Sequence, residues 1–420
     1  MLASEPAAVV DRETLNVDFP LCRDPRHEAA VREVLVRAVE LLLDRLPPGK
    51  LTALVLTGSF ARGEGSVMAV GNRLRVLGDI EFLVVFPNEL DFYTFRPQMA
   101  AWSREASQAV LDLIEVDIEF GPVAVDYFTK LARPSIFVYD LIRHGKIIWG
   151  LPDVVKRIPE FGPDRIPADD ALYLLFNRAI EQLEAYDRTE RLEGRALWDL
   201  AYQRHKLVLD LAGSALAFFG RHEPSYEARP HAFARLLAEA PLLSAALPVA
   251  YRAELERAAR LKIVPGDGRG VLAPELTTAA QRDLIRRQIV DAVPATAAFL
   301  GWELAETLGV RADLPTLLRR WARRPTIGRR VWDWGKVAFH PTAPPLPLSR
   351  LRAAALFCRS TPRGLLYAAG ALAYLNLARP TATAAQIAAL LPVRRSTLGV
   401  DATGHRRAIT ALWRWCVRNT

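Results

Sequence analysis

The sequence predicts an α+β domain near its start, followed by chain that is all helical. Three observations lead there. Between Leu51 and Phe86, two apolar runs rich in Leu and Val bracket a polar loop, which reads as two strands of roughly five residues each. A second stretch, EVDIEFGPVAVDYFTKL at 115–131, alternates acids with apolar residues. From Asp169 onward the apolar residues recur at helical spacing instead.

In chain order, residues 27–46 set Val31, Val34, Leu35, Ala38 and Leu42 on one stripe among charges. That is an amphipathic helix, stopped by Pro47-Pro48-Gly49 and expected beside the strand that begins at Leu51. The first strand ends at Gly58-Ser59. The second opens with Asp79-Ile80-Glu81 and continues through Phe82-Leu83-Val84-Val85. Asn88 to Asp91 reads as a turn, and 97–114 as a helix with Met99, Trp102, Ala106 and Val110 on one side. Next come two short strands, Val116 to Phe120 and Val123 to Phe128, joined tightly at Gly121-Pro122.

Residues 170–187 and 195–220 are helical, the second carrying Leu197, Leu200, Leu207, Leu211, Leu216 and Phe219 and closed by Gly220 and Pro224. Tyr202, Lys206 and Asp210 share one of its faces. The Gly-rich PGDGRG at 265–270 lacks a preceding strand and a following Lys-Ser or Lys-Thr, so it is a flexible break rather than a phosphate loop. Residues 275–420 read as helical with Pro-rich breaks at 341–347. The expected domains are 1–155, 165–265 and 270–420.

Composition narrows the function classes. At 51% hydrophobic residues the chain has material for real cores, and disorder is excluded as its general state. Cys22, Cys358 and Cys416 lie far apart without metal-ligand spacing and read as free thiols in a reducing compartment. No basic segment followed by an apolar core opens the chain, so no secretory signal is expected. The longest apolar run, Gly364 to Ala378, is too short to span a bilayer and reads as a buried helix, so a cytoplasmic location is expected. The seven histidines form no metal cluster or triad pattern.

The net charge of +8 is uneven: from residue 301 onward there are nineteen Lys or Arg against five Asp or Glu. Such a balance points to an anionic partner, whether RNA, a phosphorylated substrate or a membrane surface. Trp321, Trp332 and Trp334 are interleaved with Arg319, Arg320, Arg323, Arg324, Arg329 and Arg330. This suits either single-stranded RNA or a helical core with arginines snorkelling at its edge.

The chemistry concentrates at the first two strands. Period-two alternation puts Asp79 and Glu81 on one face and Ile80 on the other. Two adjacent acids repel unless a cation lies between them, and hard oxygen ligands favour Mg2+ or Mn2+. In the Gly58-Ser59 turn, glycine lets backbone approach a ligand, while amides and a hydroxyl can hold phosphate oxygens. Metal on one side and phosphate on the other describe a nucleoside triphosphate site.

This arrangement resembles the nucleotidyltransferase superfamily typified by DNA polymerase β. The match runs through Leu56, Gly58, Ser59, Asp79, Glu81 and the apolar run after them. Phe60-Ala61-Arg62-Gly63-Glu64 is similar to the extended form of small bacterial members. The loop from Ser59 to Asp79 is longer than usual there, with Val67 to Gly78 as an insertion. The resemblance implies a third carboxylate on a further strand, with Asp126 preferred over Asp117 because the chain after Asp126 fits the family pattern. The layout Asn177-Arg178, Lys206-Leu207 and Ser225-Tyr226 resembles the helical bundle that follows many bacterial members.

The resemblance implies two Mg2+ ions held by Asp79, Glu81 and Asp126, which are also the catalytic residues. Phosphates would lie at Gly58 and Ser59, with Arg62 or Lys206 neutralising them. A nucleoside triphosphate, expected to be ATP, would donate its nucleoside monophosphate to an acceptor hydroxyl of a small molecule, an aminoglycoside-like one being the first expectation. The alternatives are template-independent RNA nucleotidyl transfer and a catalytically silent nucleotide-binding regulatory module.

Overall fold

The computed structural model describes residues 15–340, 345–346, 349–393, 398 and 401–419. The start of the chain and most of the expected Pro-rich break at 341–347 lie outside them. The chain forms two compact units whose segments alternate in sequence. The first holds the chain up to Pro167 together with Gly220–Arg229 and Arg257–Ala273, and the second holds the rest.

The first unit is α+β. Among its described residues, β1 (Ala53–Leu56), β2 (Val67–Val70), β3 (Arg73–Phe86), β4 (Ile114–Ala124) and β5 (Lys146–Gly150) form one mixed sheet. The order is β2-β3-β1-β5, every neighbour antiparallel, and β4 runs parallel to β3. β1 is buried along its whole length, as its unbroken apolar sequence requires. Leu54 and Leu56 join one core with Ile80, Phe82, Val84 and the helix Pro25–Arg45. Ala53 and Val55 face a second core with Leu83, Val85, Phe128, Val138 and Leu141. The helix stripe expected from Val31 to Leu42 is fully buried, each Val or Leu stabilising the fold by about 1.5–3 kcal/mol.

Three sequence expectations change here. The second strand is fourteen residues long, because the segment read as an insertion pairs with itself: β2 and the start of β3 form a hairpin across Gly71-Asn72. β4 is one strand rather than two, since β3 beside it is unbroken and Phe120, Gly121, Pro122 and Val123 stay in register with Phe82 to Val85. Pro122 is tolerated because β4 pairs only with β3, and an edge strand can spare an N–H. Asn88 opens a helix, Glu89–Phe95, by accepting a hydrogen bond from the Asp91 N–H at 2.9 Å.

The second unit is helical throughout its described residues. Ala168–Arg188, Arg195–Phe218, Val293–Leu308 and Pro362–Leu375 are its main helices. Pro362–Leu375 is buried almost completely, as its apolar sequence predicts, and no described helix is long and apolar enough to cross a membrane. Phe176 stacks on Tyr367, and Asn177 Oδ1 accepts from the Tyr367 hydroxyl and the Trp413 indole. Trp321 and Trp334 are buried and Trp332 is exposed, so two of the three tryptophans belong to the core.

Candidate active site

The acids sit where one sheet face runs out of apolar cover. Asp79 and Glu81 share the β3 face that carries Leu83 and Val85 one turn of the pleat further on. Just before Asp79 the ladder slips. Arg75 pairs with Glu115 and Asp79 with Asp117, so β3 carries a bulge at Val76 to Gly78, where Gly78 takes φ 99. From there Glu81 pairs with Glu119. Carboxylate oxygens of Asp79, Glu81 and Glu119 lie within 4.8 Å of one another, two of the residues half-buried and Glu119 exposed. Like charges directly opposite on neighbouring strands are destabilising. Three oxygen donors at this spacing fit one hard divalent cation, Mg2+ or Mn2+, which would offset that repulsion.

The Gly-Ser turn is built against this cluster. At the end of β1, the Thr57 N–H and hydroxyl both donate to the Glu81 carbonyl, at 2.9 and 3.2 Å. Gly58 follows with φ 68, and a Cβ on it would lie 2.8 Å from Glu81 Oε2. A side chain there would therefore meet both backbone strain and a carboxylate. Ser59 accepts a hydrogen bond from Lys262 Nζ at 3.2 Å. Lys262 is 5% exposed, at the end of the helix Tyr251–Ile263, and its carbonyl accepts from the Ser66 hydroxyl. The Tyr226 ring carries three cations: Lys262 at 5.4 Å, Arg62 at 4.9 Å and Arg229 at 4.6 Å from its centroid.

A polar network anchors this floor. Arg62 pairs with Glu64 at 3.4 Å and Asp140 at 3.3 Å. Glu64 accepts from the Ser225 hydroxyl and from the N–H groups of Tyr226 and Glu227. Burial pushes the Glu64 carboxyl up, but Ser225, the Tyr226 N–H and Arg62 together bring it below the usual range. Asp140 behaves alike: burial raises it, and His222 at 2.8 Å with Arg62 and Arg229 brings it lower overall. The loop 220–229 is thereby fastened to the one-turn helix Gly58–Ala61 and its exit.

No family profile matches the chain, and no curated protein matches it. Among solved structures it is similar to the spectinomycin adenyltransferase AAD(9) from Enterococcus faecialis, solved with ATP and spectinomycin. The two share 16% identity over 61% of this chain and 98% of that one, with a TM-score of 0.35.

Of the residues singled out from sequence, Gly58, Ser59, Asp79 and Glu81 come together. Arg62 is buried in the ion network beside them. Asp126 is not among the converging acids: it precedes the π-helical turn Tyr127–Leu131 and pairs with Lys130 at 2.8 Å, 45% exposed. β4 ends at Ala124, opposite Phe86 at the end of β3, so Asp126 lies beyond the strand. Asp117 lies opposite Asp79 but outside the trio. Lys206 stands on Arg195–Phe218 in the helical unit, where Asp210 is held by Arg178 at 2.6 Å.

Glu119 and Lys262 are the residues that sequence reasoning passed over. Glu119 had a signal, since its period-two relation to Asp117 within β4 mirrors Asp79 and Glu81. Lys262 had none, because no local motif links it to a serine 203 residues earlier.

Proposed function

We propose that this protein transfers a nucleoside monophosphate from a nucleoside triphosphate, ATP first among them, to a hydroxyl of a small-molecule acceptor. The observation that carries this is the convergence of Asp79, Glu81 and Glu119 on a glycine-serine turn whose hydroxyl meets a buried lysine. Asp79, Glu81 and Glu119 would hold the divalent cation. When bound, such a cation supplies Lewis-acid stabilisation of charge on phosphate and hydroxyl oxygens.

The chain's own residues do the rest. Ser59 and Lys262 receive polyphosphate oxygens, the ammonium offsetting their charge. Glu119, the most exposed of the three acids, accepts the proton of the acceptor hydroxyl. The acceptor oxygen forms a bond to the α-phosphorus as the bond to the β-phosphate oxygen breaks, and pyrophosphate leaves. Gly58 keeps the space beside Glu81 open.

The test is pyrophosphate release by the full chain with Mg2+ and each nucleoside triphosphate, across a panel of hydroxyl acceptors that includes amino sugars. Release that depends on both Mg2+ and one acceptor supports the proposal. Undiminished release in Asp79→Asn contradicts it.

A further inference from the structure

The helical unit carries a cavity that the chemistry above does not use. It encloses about 260 Å³ between the helices Leu314–Ala322 and Pro362–Leu375 and the segments around Leu356 and Gln386. Its floor is apolar, from the buried side chains of Leu356, Leu365 and Leu372. Its rim carries Arg319, Arg323 and Arg359, all exposed, and no acidic residue among the described ones lines it. Arg319 donates to the Thr316 hydroxyl at 2.9 Å, whereas Arg323 and Arg359 have no ion-pair partner among the described residues.

Three guanidiniums around one opening repel one another, and an anion relieves that repulsion through forked hydrogen bonds. The floor adds a demand of its own, since apolar surface in a concave site gains from covering by an apolar body. We infer that this cavity binds a soluble, single-chain amphiphilic anion. A carboxylate or phosphate head would sit at Arg323 and Arg359, and a short alkyl or aryl body over Leu356, Leu365 and Leu372. The volume lies just below the usual range of ligand sites, about 300–1,000 Å³, and suits one chain. The same cavity also gives part of the basic balance beyond residue 301 a purpose other than nucleic acid.

The experiment uses decyl phosphate as probe, titrated calorimetrically into the full chain, with inorganic phosphate and decanol as head-only and tail-only controls. Binding of one decyl phosphate is expected, at least tenfold tighter than either control. It should weaken at least tenfold both in Arg323→Gln with Arg359→Gln and in Ala389→Trp, which places a ring at the exposed edge of the cavity. Inorganic phosphate binding as tightly as decyl phosphate would overturn the inference. So would decyl phosphate affinity that ignores both variants. Retention of single-stranded RNA or of anionic vesicles that depends on the arginines and is undiminished in Ala389→Trp would assign the arginines to a macromolecular surface instead, and would also overturn it.

Discussion

A Cβ on Gly58 would lie 2.8 Å from Oε2 of Glu81, so the turn that ends β1 and an acid of β3 occupy one closely fitted space. Gly58→Ala meets that contact at φ 68, where a side chain costs on the order of 1–2 kcal/mol before any clash. The variant is expected to melt a few degrees lower and to lose at least tenfold in turnover. Melting curves and pyrophosphate release measure the two effects separately.

Lys262 supplies the positive charge at Ser59. Replacing it with methionine keeps the stem that lies in the core and removes one charge-assisted contact, worth about 1.5–3 kcal/mol. Triphosphate binding to Lys262→Met should weaken by roughly ten- to a hundredfold. Lys206→Met should bind as the wild type does if Lys262 fills this role alone. Equilibrium binding of a fluorescent nucleotide compares them.

Asp140 links Arg62 to His222 with its carboxyl held below the usual range, despite the burial that pushes it up. A depressed carboxylate contributes stability that is present above its unfolded value and lost as pH falls through the folded one. Asp140→Asn should therefore destabilise the protein by on the order of 2 kcal/mol at neutral pH. It should also flatten the acid side of the stability curve. Chemical denaturation at a series of pH values checks both.

Glu303 is a contrasting case in the helical unit. It is fully buried, its Oε1 accepting from the Ser214 hydroxyl at 2.8 Å. Burial pushes its carboxyl up to about 8, with Ser214 opposing. The folded state thus holds a proton that the unfolded chain has already released, so stability falls as pH rises from the ordinary glutamate value toward 8. Glu303→Gln should remove that slope, raising the unfolding midpoint at pH 8 while changing little at pH 5.

How much of this was legible in sequence depends on the range over which each feature is encoded. The strand Ala53–Leu56, the apolar half of β3 from Asp79, the stripe on Pro25–Arg45 and the facing of Asp79 with Glu81 follow from local periodicity, and the structure has them. The hairpin at Val67 to Phe86 was missed because its polar tip reads as loop until β2 and β3 are seen to pair. β4 was divided because Gly121-Pro122 is a turn signal, and only a continuous neighbour overrides it. Dividing β4 there directs the expectation of a third acid to Asp126, whereas the carboxylate that lies beside Asp79 and Glu81 is Glu119. Lys262 is held in place by Ser59, Ser66 and Tyr226, contacts of tertiary structure that no spacing encodes.

The account stands on the three acids that meet on one face of the sheet, so divalent-ion binding tests it most directly. Mn2+ titrated into the full chain with a nucleoside triphosphate, followed by electron paramagnetic resonance, reports the ion itself without an acceptor. Asp126→Asn should bind like the wild type, while Glu119→Gln should lose at least tenfold in affinity and Asp79→Asn at least as much. Equal binding in Glu119→Gln and the wild type, or loss in Asp126→Asn, would contradict the account.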